Sequence, residues 1–183
     1  ITRAVHDVRG RLFGPVAGPF FDRWSDAVAA YLDDLTADLD GCGLDGSDTA
    51  TVAKLAREQA AVLDEIIEPC LLHGDLWTVN VMMTEDAPEP TICGVFDNDR
   101  TSWGDPESDW PVYMAAKKPG TERDAFWENY GSRPSTAGSA RRSLFYLAKQ
   151  IGAIRLERHR LSNPEAIPET YGQMSDVIDA LTG

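Results

Sequence analysis

The chain has 183 residues, 43% hydrophobic and 26% charged, enough for one sizeable globular domain with its own core. Its net charge of −13 sets it against nucleic acid and anionic membrane surfaces, whose phosphates it would repel; the charge suits a cationic small molecule, and a solvated acidic surface explains it more simply. No apolar run approaches the ~20 residues that span a bilayer. The cysteines Cys42, Cys70 and Cys93 form no CxxC pair, which points to a reducing cytoplasm rather than a disulfide framework.

In chain order, ITRAVHDVRG starts without Met and carries no signal-peptide core, so it is expected to lie inside a longer chain. From Phe20 to Leu39 the residues Trp24, Val28, Tyr31, Leu32, Leu35 and Leu39 recur at helical spacing, and GCGLDGSD ends that helix. Asp48 is the expected N-cap of a second helix carrying Val52, Leu55, Val62, Leu63, Ile66 and Ile67, which Pro69 stops. VNVMMT and TICGVF read as two short strands joined through EDAPEP, a hairpin, and DNDRTSWGDPESDW reads as the loop after it. Helices are expected over 110–117, 122–130, 140–160 and 168–181, the third with Leu144, Leu147, Ile151, Ile154 and Arg158 along one face. GSRPSTAGS, residues 131–139, reads as a flexible connector, and there is no internal repeat. The sum is an α+β, mostly helical single domain over 1–183 with one small hairpin.

The chemistry gathers around that hairpin. Asn80 enters its first strand and Asp97 leaves its second, so antiparallel pairing should bring the two ends together, with Asp75 just outside. Hard oxygen donors of this kind suit magnesium, which keeps several waters and completes its shell with phosphates. Asp, four residues, Asn, a hairpin and then Asp is also the order in which protein kinases place a proton-accepting carboxylate and two metal ligands.

HGDLWTVN followed by GVFDNDRTSWGDPESDW resembles the aminoglycoside phosphotransferase and choline kinase-like family, which has the protein-kinase fold with HGD in place of HRD. The resemblance reaches upstream to AVHDVRGRLFGP and covers about residues 5 to 115. It implies that Asp75 is the catalytic base, that Asn80 and Asp97 hold Mg2+, and that His73 and Gly74 shape the catalytic loop. It further implies that Asp109 ties this loop to the following helix and that Asp99 is a supporting or second-metal carboxylate. Asn98 and Asp99 stand where protein kinases have Phe and Gly, so a DFG-type flip is not expected. The family's smaller N-terminal lobe supplies a phosphate-gripping lysine; Lys54, Lys117, Lys118 and Lys149 follow no suitable strand. The expectation is therefore the C-terminal large lobe alone, with about 120 residues outside it, and poor activity by itself.

The implied activity is transfer of phosphate from ATP or GTP to a hydroxyl of a small molecule. A cationic antibiotic such as an aminoglycoside fits the acidity; a sugar, ketosamine, choline or hydroxy amino acid stays open, as does a non-catalytic binding module on the same scaffold. Other motifs are set aside. GCGLDG follows a helix instead of a strand, which removes the nucleotide-loop context. DNDRTSWGDPES has Ser102 and Ser108 where a calcium loop needs Gly and Glu. His6, His73 and His159 lack zinc spacing. Trp24, Phe145 and Tyr146 are expected in the core, Trp103, Trp110 and Trp127 in the core or at a rim. The acids of the C-terminal helices, Glu122 to Asp179, are expected to face solvent, and no substrate-binding residue is assigned.

Overall fold

The computed structural model describes residues 1–131 and 135–183. In chain order the elements are α1 (Thr2–His6), β1 (Gly14–Pro15), α2 (Trp24–Gly41), α3 (Ser47–Glu58), α4 (Ala60–Leu63), β2 (Cys70–Leu72), β3 (Val81–Met83), β4 (Ile92–Val95), β5 (Ser102–Gly104), α5 (Trp110–Ala116), α6 (Glu122–Tyr130), α7 (Ala137–Arg160) and α8 (Ile167–Thr182). The chain forms two compact units, Ile1–Phe20 with Glu68–Ser132 and Phe21–Ile67 with Arg133–Gly183. Part of the 131–139 connector lies outside the described residues.

The first unit is built on two small sheets. One has the order β1-β5-β2 and the other is the β3–β4 hairpin. β2 pairs antiparallel with β5, Leu71 opposite Trp103. On its other side the Leu71 N–H donates to the Val8 carbonyl at 2.9 Å. Cys70 and Leu72 are thereby buried, and the chain leaves β2 directly into the HGD loop. Of the three-stranded sheet, β5 falls in the stretch expected to be loop, and no strand is expected at β1 or β2. Its strands are two or three residues long, too short to show alternation, and their partners lie far away along the chain. The hairpin is present but shorter at its start, because Thr78–Asn80 forms a single 3-10 turn before β3.

The second unit is helical. α2 buries Trp24, Val28, Leu32, Leu35 and Leu39, the stripe read from the sequence except for Tyr31, which is 42% exposed. It starts at Trp24 rather than Phe20, since Arg23 is extended, and Phe20 is exposed. The second helix is two: α3 stops at Glu58, and α4 ends at Leu63. Ile67 is 89% exposed, so it contributes nothing to the apolar face expected of it. Gly46 takes the cap position, and Asp48 sits inside the first turn, where it faces Arg155.

α7 begins three residues early because Thr136 and Ser139 form a reciprocal capping box. Its buried face runs through Arg142, Phe145, Ala148, Gly152 and Arg155, turned from the one expected. Two features turn it. A Cβ on Gly152 would lie 2.5 Å from Leu35 Cδ2, so glycine lets α7 approach α2 closely. Arg155 is buried because its charge is fully partnered, whereas Arg158 reaches out to Glu169 at 3.3 Å.

Candidate active site

The HGD loop is fixed by geometry that its sequence demands. Gly74 has φ +82°, and a Cβ there would lie 2.5 Å from the Arg100 carbonyl oxygen, so conformation and space both require glycine. The flanking amides are held by one carboxylate. His73 N–H donates to Asp109 Oδ2 at 2.8 Å, and Gly74 N–H donates to Oδ1 at 2.9 Å. Asp109 is 4% exposed, an environment in which an ionised carboxylate needs such donors. His73 is buried too. Its Nδ1 accepts the Asp75 N–H at 3.3 Å, which places the ring proton on Nε2.

Asp75 follows at the loop's rim with its carboxylate a quarter exposed. Arg100 Nη1 stands 3.8 Å from Asp75 Oδ2. Asn80 is 4% exposed, and its Nδ2 donates to the Asp75 carbonyl at 2.8 Å. That bond orients the amide and leaves its oxygen as the other end of the group. Phe96 N–H donates to the Asn80 carbonyl at 3.1 Å, carrying the hairpin ladder one pair beyond Val81 and Val95. The backbone of Asn80 therefore lies opposite Phe96, the residue before Asp97.

Asp97 is exposed and has φ +63°, the left-handed region that a non-glycine residue occupies at a cost of order 1–3 kcal/mol. Asp99 is exposed on the same loop. Among the described residues no three His, Cys, Asp or Glu side chains group as a metal cage. An all-oxygen, incomplete donor set such as the Asn80 amide oxygen and the Asp97 carboxylate is of the kind that fits magnesium with waters and phosphates in its shell.

Two participants escaped the sequence reading. Arg100 flanks both Gly74 and Asp75, and His6, which lacks zinc spacing, is buried against Asp109 with Nε2 3.1 Å from Oδ2. Neither had a local signal, since His6 and Asp109 are 103 residues apart. Trp24, Phe145 and Tyr146 are buried core residues. A shallow groove of roughly 690 Å3 in the second unit, lined by Glu58, Glu65 and Arg141 among others, includes none of the candidate residues.

A mostly helical scaffold that presents an Asp on a glycine-turned loop beside a β-hairpin is the architecture of a kinase-like phosphotransferase. Residues 1–171 match the model of the phosphotransferase enzyme family, and the chain belongs to that family. The fold is similar to that in the crystal structure of a thermostable mutant of aminoglycoside phosphotransferase APH(4)-Ia, apo form, with a TM-score of 0.61 at 18% identity. That alignment covers 100% of this chain and 63% of the other, so the chain spans less than two thirds of its structural relative. No curated protein matches the sequence. Among the described residues no helix is long and apolar enough to cross a membrane.

Proposed function

We propose that the full-length protein transfers the γ-phosphoryl group of ATP or GTP to a hydroxyl of a small molecule in the cytoplasm, with no nucleic acid or membrane as partner. The observation that carries this is the construction of the loop around Asp75. A buried carboxylate clamps the two amides before it, and the Asn80 amide holds its own carbonyl. Phosphoryl transfer asks a protein chiefly for such positioning, because little covalent chemistry is left to the side chains.

In this reading Asp75 orients the acceptor hydroxyl and takes its proton as the oxygen attacks. Its partial exposure leaves room for that hydroxyl, and Arg100 stands beside it. Asn80 and Asp97 are the residues that would hold magnesium, which when bound offsets charge on the phosphates. Asp99 supports that end of the loop. The strained backbone at Asp97 is consistent with a position chosen for where its carboxylate stands.

The first candidate acceptor is cationic, an aminoglycoside, in keeping with the net charge of −13; a ketosamine, choline, a sugar and a hydroxy amino acid are the alternatives. Residues outside this chain would supply the nucleotide-gripping lysine, so residues 1–183 alone should turn over poorly. The test is Asp75→Asn in the full-length protein, scored for nucleotide consumption against a panel of these acceptors. Turnover should fall about a thousandfold with nucleotide affinity nearly unchanged. Wild-type turnover in the variant would end the assignment.

A further inference from the structure

The Asp109 clamp does not stop at the loop. Asp109 Oδ2 accepts a third hydrogen bond from His6 Nε2 at 3.1 Å, and His6 Nδ1 lies 2.8 Å from the Tyr130 hydroxyl. A carboxylate only accepts, so Nε2 carries a proton, and in the neutral ring Nδ1 then accepts from the tyrosine hydroxyl. His6 is 3% exposed and has both nitrogens engaged. Its ring cannot turn without breaking one bond in the interior.

Tyr130 is itself held. Arg3 Nη1 donates to its backbone carbonyl at 2.7 Å, and the Phe126 ring stacks on it with centroids 5.2 Å apart. Burial pushes its phenol up to about 12, so the hydroxyl keeps its proton across the working range. The three residues come from α1, the turn before α5, and the last residue of α6. They form a continuous chain of hydrogen bonds ending on the amides of His73 and Gly74.

We infer that Tyr130 and His6 are positioning residues: through Asp109 they set the HGD loop, and with it Asp75, at one orientation. The kinetic consequence rests on the phosphotransfer reading above. Removing the tyrosine hydroxyl leaves Nδ1 of a buried histidine without its donor. The ring is then held by its bond to Asp109 alone, and the carboxylate can shift more freely against the two amides it holds.

The experiment is Tyr130→Phe in the full-length protein, with MgATP alone as the probe. Two quantities are read: amide hydrogen exchange at His73 and Gly74, and MgATP hydrolysis. Exchange should rise about tenfold and kcat should fall about tenfold, with KM for MgATP within about twofold and the thermal midpoint lowered by a few degrees. His6→Gln, which keeps an N–H donor for Asp109, should retain more activity than His6→Leu. The double variant Tyr130→Phe with His6→Leu should be no worse than His6→Leu alone, because both changes cut one chain.

Unchanged exchange in Tyr130→Phe overturns the inference. So does raised exchange with unchanged kcat in an enzyme that requires Asp75. If Asp75→Asn also hydrolyses MgATP like wild type, the phosphotransfer reading has failed by itself, and exchange at the two amides still decides whether the clamp exists.

Discussion

Each of the two units buries a charged side chain, and the two charges do different work. In the first unit Asp109 is 4% exposed, and in the second Arg155 is 0% exposed. Arg155 makes a two-pronged pair with Asp48 at 2.8 and 2.6 Å, donates through Nε to Thr170 Oγ1 at 3.0 Å, and lies 3.7 Å from the Tyr171 ring centroid. It fastens α7 to α3 and α8. Asp109 is instead held chiefly by main-chain N–H groups, those of His73 and Gly74. The difference is in who the partners are. Side-chain partners can be changed together with the charge, but backbone amides cannot be removed by substitution and must stay paired when buried. A buried charge on side chains is a replaceable strut, and one on the backbone of a reactive loop is part of the site.

The strongest test of that contrast is Asp109→Asn. One amide oxygen serves one of the two N–H groups, and the NH2 end confronts the other donor. A buried N–H without an acceptor costs about 1–3 kcal/mol, and the loop loses a charge-assisted anchor. Turnover of the full-length protein should drop at least about a hundredfold, together with a lower denaturant midpoint. If stability fell and turnover at a permissive temperature did not, Asp109 would belong with Arg155, and the distinction would be gone.

How much of this was legible beforehand follows the same division between local and distant partners. The HGD loop, Asn80, the hairpin and α2 could be read because the relevant residues lie within a few turns of one another. The turned face of α7 could not. Arg155 is charged and was passed over in favour of Arg158, although its partner Asp48 lies 107 residues away. The sheet of β1, β5 and β2 shows the same limit, since two- and three-residue strands have no period to detect. The left-handed backbone at Asp97 has no sequence signal either, because glycine is the residue that would have advertised it.

A second test sharpens the contrast from the other unit. Arg155→Met should cost about 3 kcal/mol, as expected when one partner of a buried pair is left behind. Asp48, whose side chain is still 18% exposed, keeps the loss toward the low end. Turnover of the folded fraction should stay within about twofold. Adding Asp48→Leu should return much of the stability, since replacing both charges with apolar groups is frequently neutral. Urea melts of the single and double variants measure this. A double variant worse than the single would show that the Asp45 and Thr170 carbonyls, which Arg155 also serves, dominate, and the arginine would then resemble Asp109.

The smallest effect concerns what surrounds the two charges, and its sign can be worked out. Cys70 lies in β2, 0% exposed, and burial pushes its thiol from 9.0 to about 12, with Asp105 and Asp109 adding to the rise against Arg9. The folded state thus keeps a proton that the unfolded chain gives up above pH 9. The stabilisation is fully present below about 9 and is lost as pH climbs through 12. Tyr130 shifts in the same direction, from 10.0 to about 12, so both groups make alkaline pH unfavourable for the first unit. Cys42 and Cys93 are exposed. A thiol reagent at pH 8 should therefore label those two and spare Cys70, and a midpoint measured from pH 8 to 11 should decline less steeply in Cys70→Ala. Rapid labelling of all three cysteines in the folded protein would mean that β2 opens readily. The Asp109 carboxylate, which bears electrostatically on Cys70, would then sit in a wetter place than its three hydrogen bonds imply, and it would lose the dry surroundings that separate it from an ordinary surface acid.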